Sequence, residues 1–117
     1  MNKVVFVCLG NICRSPMAEF IMKALDQDGS LHIESRATSS WEHGNPVHQG
    51  TQKIFRSHGV PYDVSKTSLQ ISDQDFHTFD LILGMDENNV ADLKRMAPPG
   101  TEHKIHLFAG ESVPDPW

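Results

Sequence analysis

Cysteine is scarce in this chain: two residues in 117 cannot build a disulfide framework. Cys8 and Cys13 also lack the spacing of the close pairs that hold zinc or iron–sulfur clusters. Basic runs are missing too. The 10 Lys and Arg are outnumbered by 15 Asp and Glu, for a net charge of −5, and nowhere do they cluster to neutralise a row of phosphates. That argues against general nucleic-acid or membrane-surface binding. There is no long hydrophobic stretch. The apolar run VVFVCLG gives way at once to GNICRS, which fits neither a signal peptide nor a membrane span. The seven histidines show no H-E-x-x-H, and His103 and His106 merely flank or lie in a late strand, so no metal or other cofactor is expected. What remains is a chain with 38% hydrophobic and 21% charged residues. That composition predicts a single globular domain over residues 1–117, without repeats or linkers, and scarce cysteine points to the reducing cytoplasm.

Residues 3–8, KVVFVC, form a continuous valine-rich run, which predicts a strand covered on both faces and hence a parallel sheet. From Pro16 the period changes. Met17, Phe20, Ile21, Ala24 and Leu25 share one helical face, with Ser15 placed to cap, Pro16 suited to the first turn and Gly29 to end the helix. The pattern further predicts a strand over 31–38 and a helix over 47–58, begun by Asn45 and Pro46 and stopped near Gly59. A short helix follows Ser72, with Asp75 at the capping-box position; then come a strand over 79–85, a helix begun by Asp86, and a last strand over 104–108. This alternation is that of an α/β fold: an open four-stranded parallel sheet with helices on both faces. Its right-handed crossovers gather the loops after the strands at one edge, where such folds bind ligands.

The loop after the first strand, Cys8-Leu9-Gly10-Asn11-Ile12-Cys13-Arg14-Ser15, is the densest functional signal. Gly10 permits tight curvature, and the amides of residues 9–14 converge near a helix start to form a nest for a tetrahedral dianion. Arg14 adds a planar two-pronged donor for two phosphoryl oxygens. At the bottom of the nest, the amide dipoles and Arg14 favour Cys8 as thiolate, ready to attack phosphorus and form a phosphocysteine. Taken alone, Cys8 is equally a buried core thiol; its company decides for the nucleophile. Asn11 shapes the loop through side-chain to backbone bonds, and Ser15 can donate to the sulfur while also capping the helix. Cys13 is either a small apolar filler or a resolving thiol that forms a reversible disulfide with Cys8.

A phosphomonoester with a poor leaving group also needs a proton donor. Asp115, in Val113-Pro114-Asp115-Pro116-Trp117, follows the last strand and belongs on the same edge as Cys8, although a solvated tail aspartate reads the same way. Asp86 is the rival acid and is better suited to helix capping and loop support. Glu19 is expected only to favour the amino end of its helix. Trp41 and Trp117 are either packing anchors or walls against a flat aryl group.

These residues together resemble the low-molecular-weight protein tyrosine phosphatases: VCLGNICRSPMAE at Val7–Glu19, FDLILGMD at Phe79–Asp86 and the closing Asp115-Pro116-Trp117. The resemblance implies a phosphatase I-like four-stranded sheet, cofactor-free hydrolysis of phosphotyrosine in protein substrates and a cytoplasmic setting. It implies Cys8 as nucleophile, Arg14 as phosphate clamp and Asp115 as general acid. It casts Asn11, Ser15 and Asp86 as supports, Trp41 and Trp117 as walls, and Cys13 as the second loop cysteine. The chain departs from the family pattern at Lys66 and Leu69, where many members carry histidine and arginine. It also ends at Trp117, where members continue through a further helix that packs on the sheet. The expectation is an incomplete chain or an exposed sheet face covered by a partner, a second copy included. Arsenate reductases of this fold use further cysteines absent here. Protein arginine phosphatases tend to carry threonine at the position of Ile12. A phosphotyrosine-binding module without turnover is the non-enzyme alternative.

Overall fold

The computed structural model of the chain describes residues 2–26 and 28–108. Its elements alternate in chain order: β1 (Asn2–Cys8), α1 (Arg14–Leu25), β2 (Leu31–Ala37), α2 (Gln49–His58), α3 (Asp73–Thr78), β3 (Leu81–Gly84), α4 (Glu87–Met96) and β4 (Ile105–Leu107). A 3-10 turn at Glu102–Lys104 leads into β4. All strand pairings are parallel and the order is β2-β1-β3-β4, so the chain winds outward from β1 in both directions. The crevice at such a switch point, outside the carboxyl ends of β1 and β3, is where open α/β sheets bind ligands.

Side chains alternate along β1. Val5 and Val7 face one way, into a core with Ile71, Phe76, Phe79, Ile82, Leu93 and Ile105, drawn from α3, α4 and their neighbours. Phe6 and Cys8 face the other way, against Ala18 and Met22 of α1. Full burial of each such aliphatic side chain is worth about 1.5–3 kcal/mol, which explains the unbroken apolar run of β1. Period-two alternation also places the Cys8 sulfur on the same side of the sheet as α1. Beside α1, a groove of about 330 Å³ lined by Val4, Phe6, Met22, Leu31, Leu81 and Leu83 leaves part of that sheet face open.

Two helix starts differ from expectation. α1 begins at Arg14, with Cys13 at the N-cap and no side-chain cap, so Ser15 is not the cap. Pro16 falls two residues deeper, still within the first turn where no amide donor is needed. α2 begins at Gln49, where the His48 side chain accepts from Gly50 N–H at 3.0 Å. Asn45 belongs instead to a turn closed on Glu42, and Pro46 bridges to Thr67. The Ser72–Asp75 capping box forms as predicted, and α4 is capped by Asp86. Gly84 has a steric reason: a Cβ there would stand 2.9 Å from a methyl of Val90, so the end of β3 and the start of α4 lie in close contact.

Candidate active site

The connection from β1 to α1 occupies residues 9–13 and reverses at Asn11, whose φ of 56° is left-handed. Asparagine tolerates that region better than most residues. Gly10, expected to supply the curvature, lies outside it; a Cβ at Gly10 would make only ordinary contact, 3.4 Å from Glu42 Cγ.

Fully buried Asn11 organises the loop from its centre. Its backbone N–H donates to Cys8 Sγ at 3.2 Å, its Nδ2 donates to Ser15 Oγ at 2.8 Å, and its Oδ1 accepts from Leu69 N–H at 3.2 Å. Ser15 Oγ in turn lies 3.1 Å from Cys8 Sγ and 3.4 Å from the Arg36 carbonyl. A hydroxyl has one proton to give. With Asn11 donating to its oxygen, that proton goes to the sulfur whenever Cys8 is a thiolate, which has none to offer in return.

For amides to point inward, the carbonyls of the same trans peptide planes must point outward and find donors there. They do. Cys8 C=O accepts from Thr38 N–H at 2.9 Å and Ile12 C=O from His48 N–H at 2.7 Å. Leu9 C=O accepts from both the N–H and the hydroxyl of Ser39, at 3.2 and 2.9 Å, and Gly10 C=O from the Ser68 hydroxyl at 2.7 Å. The N–H groups of these same peptides belong to Leu9, Cys13, Gly10 and Asn11, and that of Asn11 is the one whose acceptor is the sulfur.

Arg14 is held from the other switch-point loop. Its Nη1 donates to Asp86 Oδ2 at 2.8 Å, while Asp86 Oδ1 accepts from Asn89 N–H at 2.7 Å. Asp86 therefore caps α4 and orients the guanidinium at once. The loop opens into a pocket of about 240 Å³ whose walls include Ile12, Arg14, Ser39, Trp41 and Glu42. Trp41 is 78% exposed, too open to be a packing anchor. Asp115 and Trp117 lie outside the described residues. Among the described residues no cluster of three metal-ligating side chains occurs, and no helix is long and apolar enough to cross a membrane.

Glu19 does more than complement its helix. It is buried, accepts from Ser35 Oγ at 2.5 Å, pairs with Lys23 at 2.6 Å and lies 3.6 Å from Lys66 Nζ. Lys66 also donates to the Ser35 carbonyl at 3.0 Å. Next to it, Arg36 pairs with Glu34 and Asp75 at 2.7 and 3.2 Å. The two departures noted from sequence thus have definite roles: Lys66 ties its segment to β2 and α1, and Leu69 serves Asn11 through its backbone, which any side chain would allow. Ser39 and Ser68 were missed because an isolated serine carries no sequence signal for a partner 30 or 58 residues away.

Residues 3–113 match the family described as low molecular weight phosphotyrosine protein phosphatase. The chain belongs to that family. It is 43% identical to a low molecular weight protein-tyrosine-phosphatase, PtpA, of Staphylococcus aureus, with 100% of this chain and 79% of that protein aligned. A crystal structure of the low molecular weight protein tyrosine phosphatase from Streptococcus pyogenes superposes with a TM-score of 0.96 at 57% identity, over 100% of this chain and 78% of that one. A Drosophila arginine phosphatase is also similar, with a TM-score of 0.82 and 36% identity over 92% of this chain and 70% of that one. The chain is thus similar to phosphatases described as tyrosine-directed and to one described as an arginine phosphatase.

Proposed function

We propose that this protein-tyrosine phosphatase hydrolyses phosphotyrosine in proteins, and small aryl phosphates, through a phosphocysteine intermediate on Cys8. The observation that carries the assignment is the Cys8 sulfur, 3.1 Å from the Ser15 hydroxyl and 3.2 Å from the Asn11 amide, in a pocket that Arg14 also lines. The thiolate attacks phosphorus, the sulfur–phosphorus bond forms and the bond to the tyrosine oxygen breaks. Asp115 is proposed, on sequence grounds, to protonate that oxygen. Water then attacks the phosphocysteine, its proton returns to Asp115, and the thiolate departs with the Ser15 hydroxyl bonded to it. Loop amides and Arg14 hold the non-bridging oxygens as charge builds.

Ile12 in the pocket wall and exposed Trp41 at its mouth favour an aryl phosphate over phosphoarginine. Neither cysteine is in a disulfide, in keeping with a cytoplasmic setting. We also infer that peroxide, by oxidising Cys8 to a sulfenic acid, allows Cys13 to displace water and close a reversible disulfide.

The test measures inorganic phosphate released from a phosphotyrosine peptide and a phosphoarginine peptide. Cys8→Ser should lose at least about 10³-fold in rate and still bind oxyanions, because a serine hydroxyl is rarely ionised at neutral pH. Rates close to those of the parent chain would sink the nucleophile assignment. Faster turnover of phosphoarginine would reverse the choice of substrate, and phosphate binding with no release by the parent would leave only a binding module.

A further inference from the structure

The Ser68 hydroxyl and the Cys8 sulfur sit on opposite ends of one peptide unit. Ser68 Oγ donates to Gly10 C=O at 2.7 Å, and the N–H of that same peptide, on Asn11, donates to Cys8 Sγ at 3.2 Å. A trans peptide is planar, with its C=O and N–H antiparallel, so fixing one end aims the other. Ser68 is itself held firmly. It is 2% exposed, its N–H donates to Asn45 C=O at 2.8 Å, and its C=O accepts from Gly44 N–H at 2.9 Å. The next residue, Leu69, holds the Asn11 side chain, and Lys66 ties the segment to β2.

From this we infer that Ser68 is a positioning residue for the nucleophile: by pulling the Gly10 carbonyl outward, it trains the Asn11 amide on the sulfur and stabilises the thiolate. The inference rests on the phosphocysteine reading of Cys8 for its role in turnover, though not for its effect on the sulfur. Two features single out Ser68 among the outward anchors. Leu9 C=O would keep the Ser39 backbone N–H if the Ser39 hydroxyl were removed, whereas among the described residues no backbone N–H stands behind Ser68 at Gly10 C=O. Moreover, the peptide that Ser68 holds is the one whose amide reaches the sulfur. Without its outer anchor that plane can rotate, and the sulfur loses a donor that matters most when it carries charge.

The experiment follows the pH dependence of Cys8 alkylation by iodoacetate, with the modified peptide identified by mass, alongside kcat and KM for phosphotyrosine. In Ser68→Ala the alkylation profile should move to higher pH, and kcat should fall between about twofold and tenfold with KM less affected. Ser68→Thr and Ser68→Val have nearly the same shape and differ in the hydroxyl. The threonine variant should track the parent and the valine variant the alanine one. Superimposable alkylation profiles in folded parent, alanine and valine variants would overturn the inference. Loss of folded structure in both the alanine and valine variants, with the threonine variant folded, would also overturn it, since the role of the hydroxyl would then be structural. A parent that alkylates at Cys8 but releases no phosphate would sink the phosphatase reading while leaving the effect of Ser68 on the sulfur measurable.

Discussion

β1 and β3 lie side by side, run parallel and turn into helices at the same edge of the sheet, yet the two turns commit their backbone amides in opposite ways. At α4 the amides are satisfied from within. Asp86 accepts from Asn89 N–H, Asn89 Oδ1 accepts from Asp86 N–H at 3.2 Å, and Glu87 adds negative charge to the first turn. At α1 the N-cap is Cys13, with no side-chain cap and no acidic residue in the first turn. On the proposed mechanism, the positive dipole end of α1 faces the phosphoryl group, with no carboxylate of its own in the first turn. Its neighbour uses the same features for stability. The contrast also explains why Asp86 joins the site: the carboxylate that closes one helix start reaches across to orient the arginine of the other.

The largest effect expected from disturbing this contrast comes from Arg14. Lysine keeps the charge but cannot present paired donors to two oxygens or hold the same contact to Asp86. Arg14→Lys should lower kcat/KM for phosphotyrosine by about 10²-fold. A loss below about threefold would show that the loop amides alone bind the phosphoryl group.

Next is a change that makes α1 resemble α4. Cys13→Asp puts a carboxylate where it can accept from the Ser15 N–H, Pro16 having none, and because Cys13 is buried the desolvation cost should offset the cap, leaving the ligand-free protein within about 1 kcal/mol of the parent. The same carboxylate competes with the phosphoryl group for the first-turn amides, so the inhibition constant for inorganic phosphate should rise by about tenfold or more. Thermal unfolding with and without phosphate reads both. Stability near that of the parent with unchanged phosphate inhibition would mean that the α1 amides are not what the anion uses.

The two functions of the α4 start can be separated by a smaller pair of changes. Asp86→Asn keeps a good cap and removes the charge facing Arg14, so stability should barely move while kcat/KM falls by about tenfold. Asn89→Ala breaks the capping box, and its cost should be about 1 kcal/mol, or about 4 °C in Tm, with activity within about twofold of the parent. Equal effects of both variants on both readouts would mean that capping and orientation are one property.

The features legible in the sequence are those enforced by local physics. The valine run of β1, the Ser72–Asp75 box and the Asp86 cap each follow from residues a few positions apart. So does the Cys8-to-Ser15 loop, whose crowded chemistry leaves few other uses for those residues. The misreadings came where a distant partner overrides a local preference. Ser15-Pro16 reads as a cap and first turn, but the tight loop starts α1 at Arg14 and turns the hydroxyl to the sulfur. Gly10 looks like the hinge, yet buried Asn11 takes the left-handed position because Leu69 and Ser15 satisfy its side chain there. Glu19 reads only as an acid favouring the amino end of its helix, until packing on β2 buries the carboxylate against Ser35 and Lys23 pairs with it.

The smallest expected effect lies beneath the uncapped end, at Lys66. Burial pushes its ammonium below the ordinary lysine value of 10.5; Glu19 pulls it back up, and Arg36 pushes it down again. The folded protein therefore holds this proton less tightly than the unfolded chain. Between the lowered folded value and 10.5 the unfolded chain binds more protons, so this group makes stability rise with pH across that window. Lys66→Met removes the titration and leaves Glu19 its contacts with Lys23 and Ser35. Urea midpoints at about pH 7 and about pH 10 should show the parent gaining on the variant as pH rises. A difference between the two that stays constant over that range would mean that Lys66 holds its proton equally well folded and unfolded. The segment carrying Ser68 and Leu69 would then be tied to β2 by a lysine that pays no desolvation penalty.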